Sequence, residues 1–206
     1  MSITGDYTKI YFYNNELGLI SPKTIDIAEN YLRICGFDDH KSSLKSDIFF
    51  LDKSKEDEKL TDPIICLRCR VSKSIYLTLQ TIFEKNKSSG LELAYLASFV
   101  LDDYGKHFIK LISKNKTERL IFNWETIKNR QDLTKPLSIK VLRTFNSKKS
   151  NLNTWTIQNV RGNQELKLYL KEFDIQLLSK WPRIANASKS KIKDSLLIRG
   201  YSEERV

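Results

Sequence analysis

Apolar residues recur at helical spacing in the first part of the chain and predict an early helix. This stripe consists of Ile25, Ala28, Leu32 and Cys35. Ser21 is a good N-cap residue, Pro22 suits the first helical position, and Gly36 follows as a terminator. The pattern therefore predicts a helix beginning after Ser21 and ending before Gly36, with its stripe facing a core.

A second stripe covers about five turns and predicts a longer helix. It consists of Ile64, Leu67, Val71, Ile75, Leu79 and Ile82. Asp62 can cap this helix, with Pro63 at its first position. Arg68, Arg70 and Lys73 fall off the stripe. They form either a phosphate-facing cluster or a solvated outer face, and the solvated face is the default interpretation.

The segments around these helices are more polar. Residues 7–20 alternate aromatic and polar side chains around Asn14 and Asn15, which favours a hairpin, with a short amphipathic helix as the alternative. Residues 37–59 are predicted to be rich in loops. Their mixed-charge run DKSKEDEK, residues 52–59, is typical of an exposed linker. We therefore expect a boundary between an amino-terminal region, residues 1–59, to which no fold is assigned, and a helical, basic domain, residues 60–206.

Further helices are predicted beyond the Ser88-Ser89-Gly90 break. Residues 91–105 favour a short apolar helix, residues 106–117 a short strand or turn, and residues 120–130 another helix. Pro136 begins a helix, and after a basic turn at residues 146–151 a new one starts at Leu152. The predicted fold class is mostly α, a helical bundle with a small amino-terminal hairpin.

The carboxyl-terminal part continues this pattern. Residues 165–173 alternate like a strand, but their Glu, Lys and Leu content favours a helix. Two short helices follow around Asn186, with Ser188 capping the second and Gly200 ending it. This pair fits a carboxyl-terminal helix-turn-helix, and it equally fits any small helical bundle.

Charge is distributed unevenly along the chain. Residues 1–103 hold 13 Lys/Arg and 16 Asp/Glu, a net charge of −3, whereas residues 104–206 hold 22 and 9, a net charge of +13. Lys and Arg that neutralise phosphates release counterions and so supply sequence-independent affinity for nucleic acid. The second half therefore favours a polyanionic partner, with a solvated charged face as the alternative.

Other classes of protein have weaker support. No apolar run approaches the roughly 20 residues of a membrane span, and the amino terminus lacks the pattern of an export signal, so we expect a cytoplasmic protein without a membrane partner. Cys66-x-x-Cys69 has the spacing of zinc ligands or of a redox pair, but buried helix cysteines are the preferred interpretation. With two isolated histidines, we expect no enzyme, cofactor, metal or small-molecule substrate.

Phe145–Arg161, FNSKKSNLNTWTIQNVR, carries the sharpest functional signal. In the order of its helix end, basic turn and Asn-Thr-Trp helix, it resembles the bacterial sigma factors, and a divergent sigma-like family of cyanobacteria in particular. The resemblance extends from about Leu60 and includes the segments at residues 66–75, 96–103 and 165–181. It implies a bundle like the central sigma-factor domain, promoter DNA as a partner, RNA polymerase core as a second partner, and a role in transcription. The tandem tryptophans of primary sigma factors are replaced here by Gln158 and Asn159.

The resemblance and the charge together give a set of candidate DNA-binding residues. Backbone contacts are expected from Lys148, Lys149, Arg161, Lys189, Lys191 and Lys193. Base contacts are expected from Trp155, by stacking, and from Gln158. Trp155 also fits the core-facing side of its helix, together with Leu152 and Val160. The alternative function is a helical module that binds polymerase or another sigma factor without contacting DNA.

Overall fold

The computed structural model describes residues 4–14, 17–37, 43–101, 108–113, 116–133, 135–177 and 193 of this mostly helical chain. The helices are α1 (Thr4–Thr8), α2 (Asp26–Ile34), α3 (Ser43–Glu56), α4 (Asp62–Lys85), α5 (Leu93–Ser98), α6 (Trp124–Asn129), α7 (Leu137–Thr144), α8 (Leu152–Gly162) and α9 (Gln164–Glu172). The strands form two antiparallel hairpins: β1 (Lys9–Asn14) with β2 (Leu19–Thr24), and β3 (Phe108–Ser113) with β4 (Lys116–Ile121).

The chain divides into two compact units, residues 1–169 and 170–206. Within the first unit, α4 contacts α1, α2, α3, α5, α7, α8 and β1. Buried side chains therefore occur all round α4, as expected for a helix at the centre of a core. Of the second unit, the structure describes residues 170–177 and 193. None of the helices in the described part of the chain combines the length and apolar composition needed to cross a membrane.

The amino-terminal hairpin is confirmed, but the predicted start of the next helix is wrong. Ser21 and Pro22 lie in β2, where Pro22 pairs with Tyr11. Proline is tolerated in this two-stranded sheet because each of its strands has an open edge. Helix α2 begins at Asp26, after Ile25, whose N–H donates to the carbonyl oxygen of Thr8 (2.8 Å). Strand pairing thus outweighs the local capping signal.

The loop-rich interpretation of residues 37–59 is also wrong, because residues 43–56 form α3. The helix packs against α4. Phe50 and Leu51 are buried on this side, and the Ser54 hydroxyl donates to the carbonyl oxygen of Phe50 (2.7 Å). Asp52, Lys55 and Glu56 of the run DKSKEDEK are exposed on the last turns of α3, and the last three residues of the run follow the end of the helix. Most of the predicted linker is therefore the amphipathic end of a packed helix.

Helix α4 follows the predicted stripe, but its off-stripe cations do not form a solvated face. Arg68 is fully buried, with its guanidinium over the Phe122 ring at 4.4 Å from the centroid. Arg70 and Lys73 both form ion pairs with Asp6 of α1. The reason is architectural, since elements pack against α4 on nearly every side. The solvated-face prediction is wrong.

The middle of the chain contains a second hairpin, β3 and β4, whereas the sequence predicted only one short strand or turn there. β3 falls in the predicted strand or turn, whereas Leu120 and Ile121 belong to β4 and not to a helix. Helix α6 begins at Trp124, where the Asn123 side chain caps it by accepting from the Thr126 N–H (2.9 Å). The helices α5, α7, α8 and α9 fall in segments for which helices are predicted.

Candidate nucleic-acid interface

A fixed basic turn joins α7 to α8. The side chain of Asn146 accepts from the N–H of Lys148 (3.0 Å), and the backbone oxygen of Asn146 accepts from the N–H of Lys149 (3.0 Å). Asn151 then caps α8 by accepting from the N–H of Thr154 (2.8 Å). These local bonds hold the turn with both lysine side chains exposed to solvent.

Helix α8 has one buried side and one exposed side. The buried side, Leu152, Thr156, Asn159 and Val160, packs in the core of the first unit. Gln158 and Arg161 are exposed and lie three residues apart, on adjacent turns of the same surface. Gln158, expected to contact a base, and Arg161, expected to contact the DNA backbone, thus both lie on the solvent side of α8.

Trp155 lies at the border between these two sides. Its ring is half-buried, and its Nε1–H donates to the Thr144 hydroxyl oxygen on α7 (3.2 Å). The indole therefore bridges α7 and α8 while keeping part of its surface open. Asn159, which shares this helix face in the sequence, is buried, and its amide donates to the Trp155 carbonyl oxygen (2.9 Å). Its amide group is thus used within the helix.

The candidate DNA-binding residues do not form a single cluster. Helix α8 has 11 residues and is about 16 Å long, the turn lysines precede its first residue, and Arg161 lies in its last turn. This length corresponds to about five base-pair steps of duplex DNA. We name Lys148, Lys149, Trp155, Gln158 and Arg161 the α8 surface. Lys189 and Lys191 lie outside the described residues, and Lys193 is exposed in the second unit.

A basic groove beside this surface was not singled out from the sequence. Its volume is about 480 Å³, and it lies between α7, α9 and the residue Phe99. Its lining includes Lys135, Lys140, Arg143 and Glu165. A signal for it does exist in the sequence, because residues 135–169 hold seven Lys/Arg against one Asp/Glu, a net charge of +6. We name this feature the α7–α9 groove.

The cations of the groove differ in how they are paired. The Lys135 ammonium lies 2.6 Å from the Glu165 carboxylate. The Arg143 guanidinium donates to the carbonyl oxygens of Arg130 (3.0 Å) and Leu133 (3.4 Å). Lys140 is exposed and forms no ion pair with the other described residues. The groove therefore keeps an excess of positive charge.

The candidate metal and redox motif is part of the core. Cys66 and Cys69 are buried in α4 as free thiols. Burial raises the pKa of the Cys66 thiol well above its usual range and raises the pKa of Cys69 to about 12. Both thiols are thus protonated in this environment, which disfavours thiol exchange because exchange needs a thiolate. Across the described ranges, no group of three or more His, Cys, Asp or Glu side chains could hold a metal ion. Asp102, Asp103 and His107 lie outside these ranges.

Comparison of the chain with protein-family models, curated proteins and solved structures gave no match.

Proposed function

We propose that this protein binds DNA through the α8 surface and acts in transcription as a sigma-like factor. The observation that carries the proposal is the charge of residues 135–169, seven Lys/Arg against one Asp/Glu, together with the exposure of Lys148, Lys149 and Arg161. None of these three cations forms an ion pair with another residue in the part of the chain that the structure describes.

Unpaired, exposed cations are suited to phosphate contacts for two reasons. Binding a phosphate breaks no existing ion pair, and each neutralised phosphate releases counterions into solution. The length of α8, about 16 Å, matches about five base-pair steps along one DNA strand. Lys148 and Lys149 before the start of α8 and Arg161 in its last turn are thus spaced for contacts along one DNA backbone rather than for one small anion.

Trp155 and Gln158 are proposed to contact bases between these cations. The tryptophan ring is anchored on one edge by Thr144 and is open on part of its surface. An anchored ring stacks on an unpaired base at a small cost in side-chain entropy. Gln158 is exposed one turn away and has both donor and acceptor atoms for a base edge.

Three further proposals rest on the sequence resemblance alone. The fold is proposed to be like the central sigma-factor domain, and the protein is proposed to bind RNA polymerase core. Additional contacts to the DNA backbone are proposed from Lys189, Lys191 and Lys193 in a helix-turn-helix.

The experiment is a titration of fluorescently labelled duplex DNA and of the same DNA with an unpaired bubble, followed by anisotropy at low salt. The test variant is Lys148→Ala/Lys149→Ala. The matched control is Lys9→Ala/Lys23→Ala, which removes two exposed lysines from the β1–β2 hairpin. We expect the test variant to lose about tenfold in affinity for both DNAs, and the control to stay within about twofold.

The same titration distinguishes the alternative function. If the wild-type protein shows no salt-dependent affinity for either DNA, the proposal fails. Recovery of RNA polymerase or a sigma factor on the immobilised protein, without DNA binding, would then favour the protein-binding module.

A further inference from the structure

The α7–α9 groove combines positive charge with the start of a helix. Gly162, Asn163, Gln164 and Glu165 line one wall, and α9 begins at Gln164. The Asn163 side chain accepts from the N–H of Leu166 (2.8 Å), which caps the helix. The positive end of the α9 dipole thus lies at the same groove that Lys140 and Arg143 line. Glu165 opposes this potential, but Lys135 pairs with it.

An aromatic cluster borders the same groove. Phe99 lines the groove, and its ring lies 5.4 Å from Tyr95 and 5.4 Å from Tyr169, measured between centroids. Tyr95 and Tyr169 contact each other at 4.8 Å. The three rings support one another, although Tyr95 is 50% exposed. Phe99 of this cluster therefore places an aromatic ring at a groove that is also lined by cations.

We propose that the α7–α9 groove binds a nucleoside phosphate, with its phosphate on Lys140 and Arg143 and its base against Phe99. The volume of about 480 Å³ lies within the range of roughly 300 to 1,000 Å³ that is usual for small-molecule sites. Phosphates bind to cations and to the starts of helices, and bases stack on aromatic rings. A free nucleotide and an unpaired nucleotide within a strand share this chemistry.

This site does not depend on the α8 surface, because the residues that hold the ligand are different. The DNA-binding proposal rests on Lys148, Lys149, Trp155, Gln158 and Arg161, whereas the groove uses Phe99, Lys140 and Arg143. Either proposal can fail while the other holds.

The test is calorimetric titration of the full chain with two probes, ATP and an eight-nucleotide oligothymidylate. The variants are Lys140→Glu and Phe99→Leu, and the matched control is Lys23→Glu, which reverses an exposed charge outside both the groove and the α8 surface. We expect saturable binding of at least one probe to wild type, a loss of about tenfold or more in both variants, and a change of less than threefold in the control. Melting temperatures verify folding, and Lys140→Gln replaces Lys140→Glu if the latter does not fold.

The two probes separate the two sources of the ligand. Binding of ATP that Lys140→Glu weakens assigns the groove to a free nucleotide. Binding of the oligonucleotide but not of ATP, weakened by Lys140→Glu and Phe99→Leu, assigns it to a strand. Binding of neither probe to wild type overturns the proposal. Equal losses in Lys140→Glu and Lys23→Glu, or no loss in Lys140→Glu and Phe99→Leu, also overturn it, because they would show a general charge effect or binding elsewhere. A parallel duplex titration with Lys148→Ala/Lys149→Ala reports separately on the α8 surface.

Discussion

At the scale of single residues, the ionic cluster beside α4 has the clearest physical consequence. Asp47 of α3 is 2% exposed and accepts a hydrogen bond from the Tyr7 hydroxyl (2.7 Å). Arg70 lies 3.9 Å from it and pairs with Asp6 at 2.8 Å. The hydrogen bond and Arg70 favour the carboxylate, but burial outweighs them and raises the pKa of Asp47 from its ordinary value of 3.8 to about 6.

This pKa predicts a pH-dependent stability. Because the folded state binds the Asp47 proton more tightly than the unfolded state, the contribution of Asp47 is fully present below pH 3.8 and is lost as pH rises through about 6. Asp47→Asn keeps an acceptor for Tyr7 and removes the titration. We expect the free energy of unfolding of wild type, relative to Asp47→Asn, to fall by roughly 2 kcal/mol between pH 4 and pH 7. Urea denaturation of both proteins at several pH values measures it, and parallel pH profiles would contradict the assignment.

Trp155 has a structural and a proposed functional role, and two substitutions separate them. Trp155→Phe removes the bond to Thr144 but keeps a ring, whereas Trp155→Ala removes both. If the ring stacks on an unpaired base, Trp155→Ala weakens bubble binding by about 1 to 3 kcal/mol and Trp155→Phe by less. Anisotropy on bubble and duplex DNA measures the difference. Equal losses on both DNAs would indicate a purely structural tryptophan.

At the scale of elements, helix α3 illustrates what local sequence reasoning misses. A mixed-charge run is typical of a linker, but Leu51 and Ser54 are buried while Asp52 is exposed. The run is thus one side of a helix whose other side packs on α4. Helix α4 was predictable because its apolar stripe recurs at helical spacing over about five turns, although side chains off the stripe are buried as well. The course of β2 beyond Ile20 and the presence of β4 were not, because strand pairing depends on a partner strand.

Helix α3 gives a prediction that distinguishes a packed helix from a linker. We expect Leu51→Ala to lower the free energy of unfolding by about 2 to 5 kcal/mol, because it leaves a cavity against α4. Asp52→Ala, its exposed neighbour, should change it by less than about 0.5 kcal/mol. Urea denaturation measures both. Rapid tryptic cleavage of the native protein at Lys53 and Lys55, with Leu51→Ala as stable as wild type, would instead support a linker.

At the scale of the whole molecule, the exposure of some cations could be predicted from the local sequence, whereas the burial or pairing of others depends on the fold. Lys148, Lys149 and Arg161 were predictable as exposed cations because they lie in a turn and off an apolar stripe. Arg68 and Arg70 look equally exposed in sequence, yet the elements packed around α4 bury or pair them. The α7–α9 groove was not predictable, because Phe99 is separated from Lys140 and Glu165 along the chain and meets them through folding.

The most direct test of DNA binding by the α8 surface is the salt dependence of its affinity for duplex DNA. Each phosphate contact contributes about 0.9 to the slope of log K against log salt concentration. We predict that the triple variant Lys148→Ala/Lys149→Ala/Arg161→Ala reduces the magnitude of this slope by about 2 to 3. The matched variant Lys9→Ala/Lys23→Ala/Lys45→Ala removes three exposed lysines elsewhere and should leave it unchanged. Equal slopes for wild type and both variants, or no salt-dependent binding by wild type, would contradict the account.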